Sequence, residues 1–255
     1  MQPKQLEISV AQLPKLLPAN WSGESTLAVV IDTLRFTTTA AVALHGGAAA
    51  VSVAAEVDAA RASAKLLGPE TLLCGERHCH RIDGFQLGNS PLEYTPKIVA
   101  KRKLVFSTTN GTLAVTASMP AQQILLGSLV NRQAVANWIV ASSFSKIWIV
   151  CAGTDGQVAA EDVLTAGAIA HACQQRINCI LRNDSALIAV ELFAQQLSTD
   201  EMRMRSRLIQ LLSKSAGGFN LIQAGYESDI AEVAKLDTLS VVPMNRSDQP
   251  SIFTI

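Results

Sequence analysis

An α/β fold with a mainly parallel sheet is predicted by two observations. Short apolar runs rich in β-branched residues recur along the chain, and each enters a polar or Gly-containing turn followed by an Ala-rich amphipathic stretch, which is the rhythm of βα units. The composition agrees: of 255 residues, 49% are hydrophobic and 16% charged, enough to bury a substantial core without disulfides.

Taken in order, Leu27–Ile31 reads as a strand leading to Asp32 and a helix over Thr37–Leu44. Lys103–Ser107 leads through Thr108-Thr109-Asn110-Gly111 to a helix over Thr112–Ser118. Gln123–Gly127 leads through Ser128 to a helix spanning Ala134–Val140, and Ile147–Cys151 leads through Ala152-Gly153-Thr154-Asp155-Gly156 to a helix over about Ala160–Cys173. Between the early and middle units, Cys74–Thr95 has few β-branched residues and holds Gly75, Gly84, Gly88 and Pro91. A loop of that length in a compact domain is usually functional. After about Cys179 the pattern loosens into a charged helix over Thr199–Ser213, a break at Gly217-Gly218 and a closing strand at Leu239–Val242.

Lys plus Arg and Asp plus Glu balance at 21 each, so no global field favours nucleic acid or an acidic membrane surface, and an anionic ligand would need a local cluster. No basic segment followed by an apolar core opens the chain, and no apolar run approaches the roughly 18 residues that span a bilayer; a cytoplasmic protein is expected. The five cysteines, Cys74, Cys79, Cys151, Cys173 and Cys179, are an odd number without an export signal, which argues against a disulfide framework.

Ligands of open α/β sheets bind beyond the carboxyl ends of the strands, where helix N-termini offer backbone N–H groups to anions. Three turns carry suitable side chains and are expected to open on one edge of the sheet: Asp32 to Thr39, Thr108 to Thr112, and Gly153 to Asp162. Asp32 ends an apolar strand, so its carboxylate either holds a hard divalent cation, Mg²⁺ by preference, or caps the next helix. Arg35 offers a fork matching phosphate geometry, and Thr37, Thr38 and Thr39 add hydroxyl donors. Thr109-Asn110-Gly111 reads as a phosphate seat or a tight turn. Glu161 and Asp162 stand in a first helical turn, where the dipole favours acids in any case.

Other chemistries fare worse. The loop Cys74-Gly75-Glu76-Arg77-His78-Cys79-His80 clusters thiols and imidazoles, but its spacing fits no standard zinc arrangement. A cysteine nucleophile at Cys79 would need Arg where Phe85 stands, and an aspartyl nucleophile at Asp32 would need a second Asp where Leu34 stands. No G-x-S-x-G elbow occurs.

Together, Val29–Thr39, Gly75-Glu76-Arg77 with Gly84–Tyr94, Thr108–Thr112, Gly127-Ser128 with Asn131, and Cys151-Ala152-Gly153 with Glu161-Asp162 resemble the 2-phosphosulfolactate phosphatase family, five motifs in order over about Ala28–Gly167. The resemblance implies an α/β fold of two interlocked lobes, here 1–135 with the loop 74–96 and 136–255. It also implies Mg²⁺ dependence and hydrolysis of 2-phospho-3-sulfolactate to 3-sulfolactate and phosphate. By carry-over, Asp32, Arg35 and Glu76 are the expected catalytic residues, and Asp32, Glu76 and Asp162 the expected metal ligands. Thr37, Thr38, Arg77, Asn89, Ser90, Thr109, Asn110 and Gly111 are expected around the substrate. Metal-activated water and a phospho-aspartate at Asp32 both stay open as routes. A homodimer is expected, and a non-catalytic sensor of a phosphorylated or sulfonated metabolite is the alternative. The sequence departs from the family's pattern at Phe36, His78, Cys79, Gln86 and Leu113, with His78 and Cys79 standing where small glycines are expected.

Overall fold

The computed structural model describes residues 5–23 and 25–255. Strands β1 (Leu6–Ala11) and β2 (Thr26–Ile31) precede helix α1 (Phe36–His45), β3 (Ala50–Val53), α2 (Val57–Leu67), β4 (Thr71–Arg77) and the two-residue β5 (His80–Arg81). A short α3 (Pro96–Val99) leads to β6 (Lys103–Ser107), α4 (Gly111–Ser118), β7 (Gln123–Gly127), α5 (Arg132–Ala141), β8 (Lys146–Cys151), α6 (Ala160–Gln174), β9 (Cys179–Leu181) and α7 (Asp184–Ala194). Three helices follow, α8 (Glu201–Lys214), α9 (Ala216–Gln223) and α10 (Glu227–Val233), and then the strands β10 (Met244–Arg246) and β11 (Gln249–Thr254). No helix among the described residues is long and apolar enough to cross a membrane.

One sheet runs in the order β5-β4-β6-β3-β11-β10-β7-β2-β8-β1-β9. It contains two parallel blocks, β4-β6-β3 and β7-β2-β8-β1-β9, joined by the antiparallel β10–β11 hairpin. Strands β3 and β11, β11 and β10, and β10 and β7 each pair antiparallel. Three reversals in succession set the two blocks running in opposite senses. The turns at their carboxyl ends therefore leave by opposite edges of the sheet as drawn flat, not by the one edge expected from the βα pattern. Both sets of turns nonetheless border one cleft.

The apolar strands have the composition that burial on both faces demands. Strand β2 is buried throughout; its Leu27, Val29 and Ile31 feed a core with α5 and α6, while Ala28 and Val30 feed a core with α1 and α4 on the opposite face. Outside α6, the helices α8, α9 and α10 close a third cluster around Leu208, Leu212, Leu221, Ile230 and Val233. They roof the region beyond the strand ends.

Three local expectations are corrected. The segment read as a loop from Cys74 begins inside β4, which pairs with β6 from Thr71 opposite Lys103 to Gly75 opposite Ser107; burial and pairing outweigh its lack of β-branched residues. Gly217-Gly218 opens α9 rather than breaking the chain, because Ser215 Oγ accepts the Gly218 N–H at 3.2 Å as an N-cap. Residues 239–242 are not a strand. Their polar groups bond singly, as in the Leu239 N–H to the Val130 carbonyl at 2.8 Å, and Pro243 has no N–H for a ladder, so the strand starts at Met244.

The hairpin meets β7 through one registered pair, Met244 with Leu125. The buried Asn245 side chain supplements that pairing: its Oδ1 accepts the Ile124 N–H at 2.7 Å and Gln123 Nε2 at 2.6 Å. Asn245→Ala leaves a buried N–H without an acceptor and should lower unfolding free energy by about 1–3 kcal/mol in urea titration.

Candidate active site

A cleft of about 400 Å³ lies beyond the carboxyl ends of β2, β4 and β6. Asp32, Arg35, Glu76, Asn89, Thr109 and Asn110 all line it, together with His78, Cys79 and His80, the Thr154-Asp155 turn after β8, and Gly217, Asn220 and Gln223 of α9. Segments far apart in the chain thus meet in one solvent-connected space.

Asp32 is placed by a turn that ties itself off. Thr37 Oγ1 donates to the Asp32 carbonyl at 2.9 Å and accepts the Asp32 N–H at 3.1 Å, while Asp32 Oδ1 accepts the Phe36 N–H at 3.2 Å. The peptide between Leu34 and Arg35 in this turn is cis. Asp32 is therefore both the helix-associated acceptor and a cleft residue, so the two readings of it are compatible. Its other oxygen faces Gly111 at the start of α4. A Cβ at 111 would lie 2.6 Å from Asp32 Oδ2 and 2.7 Å from Phe36, so only glycine lets this turn close over the carboxylate. Burial pushes the Asp32 carboxyl from the ordinary 3.8 up to about 7, against the lowering effect of the Phe36 N–H; the nearby Glu76 and Glu161 carboxylates raise it further.

Arg35 is 2% exposed and held by three partners. Its Nη1 donates to Asp229 Oδ2 at 2.7 Å, its Nη2 donates to the Cys79 carbonyl at 2.7 Å, and its guanidinium lies 4.4 Å from the centre of the Tyr226 ring. Ser90 Oγ donates to the second Asp229 oxygen at 2.6 Å. Asp229, 0% exposed, was not visible as a site residue in the sequence, because it stands in a two-turn helix without a motif, 194 positions from its partner.

Glu76, the penultimate residue of β4, holds two loops. Its Oε1 accepts the Thr109 N–H at 2.9 Å and its Oε2 the Cys79 N–H at 3.0 Å. Strands β4 and β5 pair Arg77 with His80, leaving His78 and Cys79 as a two-residue turn with φ of +51° and +69°. Asn110 Oδ1 accepts the Asp155 N–H at 3.3 Å across the cleft floor.

Several expected residues stand elsewhere. Thr37 and Thr38 are sealed from solvent, and the Thr38 hydroxyl donates to the Thr33 carbonyl at 3.0 Å, so both brace the turn instead of facing the cleft. Arg77 points to the end of β6, donating to Ser107 Oγ at 3.0 Å. Ser90 serves Asp229, and Gly111 backs Asp32. Asp162 is 2% exposed, with one oxygen accepting the Thr33 N–H at 2.8 Å and the other the Gly153 N–H at 2.9 Å; it joins the β2 and β8 turns behind the cleft wall. Its pKa is raised by burial first, then by Glu161 and Asp32. Cys74, the first thiol of the zinc alternative, lies in the core with its pKa pushed up to about 12 by burial.

The donors present suit a hard cation held sparingly. Among the described residues, no three of the His, Cys, Asp and Glu side chains form a ready metal cage. Asp32 and Glu76 supply carboxylate oxygens, and the buried Oδ1 of Asn89, also of the cleft lining, has no hydrogen-bond partner. Carboxylates and an amide oxygen, with water or a phosphate completing the shell, are the ligands that Mg²⁺ takes.

Two expected outcomes follow from this geometry. Asp229→Ala strands the buried Arg35 charge and should cost about 3–5 kcal/mol of unfolding free energy in denaturant titration. The folded chain holds a proton on Asp32 to higher pH than the unfolded chain does, so ionising it costs stability as pH rises from 3.8 to about 7. In EDTA at pH 8, Asp32→Asn should therefore melt at a higher temperature than the parent protein.

The chain matches known proteins over nearly its whole length. A family model described as 2-phosphosulpholactate phosphatase matches residues 11–248. A "Probable 2-phosphosulfolactate phosphatase" of Synechococcus sp. (strain JA-2-3B'a(2-13)) is 39% identical over 245 residues, covering 94% of this chain and 95% of the relative. Proteins with the same name from Gloeobacter violaceus and Nostoc punctiforme are 36% and 33% identical, covering 93% and 94% of this chain and 94% and 95% of theirs. With matches of that length and the cleft assembled from the motif segments, the chain belongs to the 2-phosphosulfolactate phosphatase family.

Proposed function

We propose that the cleft hydrolyses a small, highly anionic phosphomonoester with the help of Mg²⁺, and that 2-phospho-3-sulfolactate, named by the relatives, is its substrate. The observation that carries this reading is the charge of the lining. Asp32, Glu76 and Asp155 are set against a single guanidinium, Arg35, which Asp229 already neutralises. A multiply charged anion enters such a space only with a cation, and Asp32, Glu76 and the unpartnered Asn89 oxygen are the residues to hold it.

Bound there, Mg²⁺ would supply neutralisation of the phosphoryl oxygens. The chain's own groups do the positioning. Arg35 is clamped by Asp229, the Cys79 carbonyl and Tyr226, so its remaining N–H groups are preorganised for phosphate oxygens. Asn110 brings the N-terminus of α4 to the cleft, where the dipole favours negative charge. In the overall reaction the ester P–O bond breaks, water gives its oxygen to phosphorus, and the alcohol product takes a proton.

The test is phosphate release from a panel of phosphomonoesters including 2-phospho-3-sulfolactate, with Mg²⁺ and with EDTA. Release should require Mg²⁺ and should vanish in Asp32→Asn, with the variant's fold checked by circular dichroism. Near-normal release in the folded variant, or indifference to EDTA, would overturn the assignment.

A further inference from the structure

Three non-glycine residues of the cleft wall, His78, Cys79 and Asp155, have positive φ, and the first two are adjacent. The turn between β4 and β5 has positive φ at both central positions, the type I′ geometry in which Asn-Gly is preferred. Here the residues are His78 and Cys79. Strain of this kind persists where the surroundings enforce it and concentrates at functional sites.

The two positions differ in what offsets the strain. Cys79 packs against the apolar cluster of Leu221 and Ile230, donates its N–H to Glu76 and accepts from Arg35 through its carbonyl. The His78 side chain is exposed, belongs to no apolar cluster, and lines the cleft. No hydrogen bond among the described residues engages its ring. The neighbouring His80 differs again, for its ring lies 6.1 Å from that of Tyr226, which supports Arg35.

We propose that His78 is a specificity-determining residue that receives an anionic group of the substrate other than its phosphate. The inference rests on the hydrolase reading above. The residues assigned there to the cation and the phosphate come from the turns after β2, β4 and β6 and from Asn89. A substrate carrying further negative charge still needs a donor for it, since the free N–H groups of Arg35 are assigned to the phosphate. The imidazole has an N–H to give, and it lines the cleft from a hairpin whose register is fixed.

Glycine and asparagine both tolerate positive φ, so His78→Gly and His78→Asn remove the imidazole without threatening the fold. The measurement is kcat/KM for 2-phospho-3-sulfolactate against two truncated substrates, 2-phospholactate, which lacks the sulfonate, and O-phosphoisethionate, which lacks the carboxylate. Both variants should lose about tenfold of the preference for the full substrate over one of the two, chiefly through KM. Both ratios within twofold of the parent protein, with a raised melting temperature in His78→Gly, would make His78 a strained turn residue only and overturn the proposal. Calorimetric titration with 3-sulfolactate and with inorganic phosphate separates this from failure of the hydrolase reading. A parent protein that releases no phosphate but binds 3-sulfolactate, with affinity reduced in both variants, keeps the His78 assignment and discards the hydrolase. Equal 3-sulfolactate affinity in all three proteins, or no binding in any, removes the His78 assignment.

Discussion

The cleft depends on a buried ion pair. Arg35 and Asp229, 2.7 Å apart and almost wholly out of water, are an arrangement whose desolvation cost is recovered only when every donor and acceptor is used. Here the uses are specific: Ser90 takes the second Asp229 oxygen, the Cys79 carbonyl takes the second Arg35 nitrogen, and Tyr226 covers the guanidinium plane. Four segments are bound by one pair of charges: the turn after β2, the β4–β5 turn, the strand-free stretch before α3, and α10. The position of the helical roof over the strand ends is thereby set by electrostatics as well as by the apolar cluster beneath it.

Around this pair the site concentrates negative charge. Asp32, Glu161 and Asp162 are all buried and their carboxyls are pushed upward chiefly by burial, an expensive arrangement for a fold to keep unless something at the cleft uses it. Glu161 has one oxygen on the Gly217 N–H and the other without a partner. Asp162 is satisfied by two backbone donors. The cost is thus unevenly met, and among these three it is Glu161 that keeps a buried oxygen without a partner.

Much of this was legible in the chain. The alternation of β-branched runs with Ala-rich stretches gave away β2, β6, β7 and β8 and the helices after them, because strands buried on both faces leave few polar residues to confuse the pattern. Asp32 and Asn110 were identifiable because strand-end carboxylates and turn amides in an apolar sequence have few other uses, whereas Glu76, in a segment read as a loop, was reached only through the family resemblance. Which polar residues face the cleft was not legible. Thr37, Thr38, Arg77, Ser90 and Asp162 carry suitable chemistry, but one turn of helix or one step of strand decides whether a side chain meets ligand or backbone. Asp229 was hidden for the converse reason: its importance is entirely tertiary. The opposed sense of the two parallel blocks was equally hidden, since the β10–β11 hairpin that imposes it is short and weakly patterned.

That hairpin has an implication for how the molecule comes into being. The strands at the middle of the sheet follow every other strand in the sequence, so a nascent polypeptide emerging from a ribosome can assemble either block, and pack both against α1 and α4, before the hairpin that joins their edges exists. Vectorial synthesis therefore yields a late, non-local docking step. During that interval the open borders of β3 and β7 are exposed edges of the kind that invite mispairing.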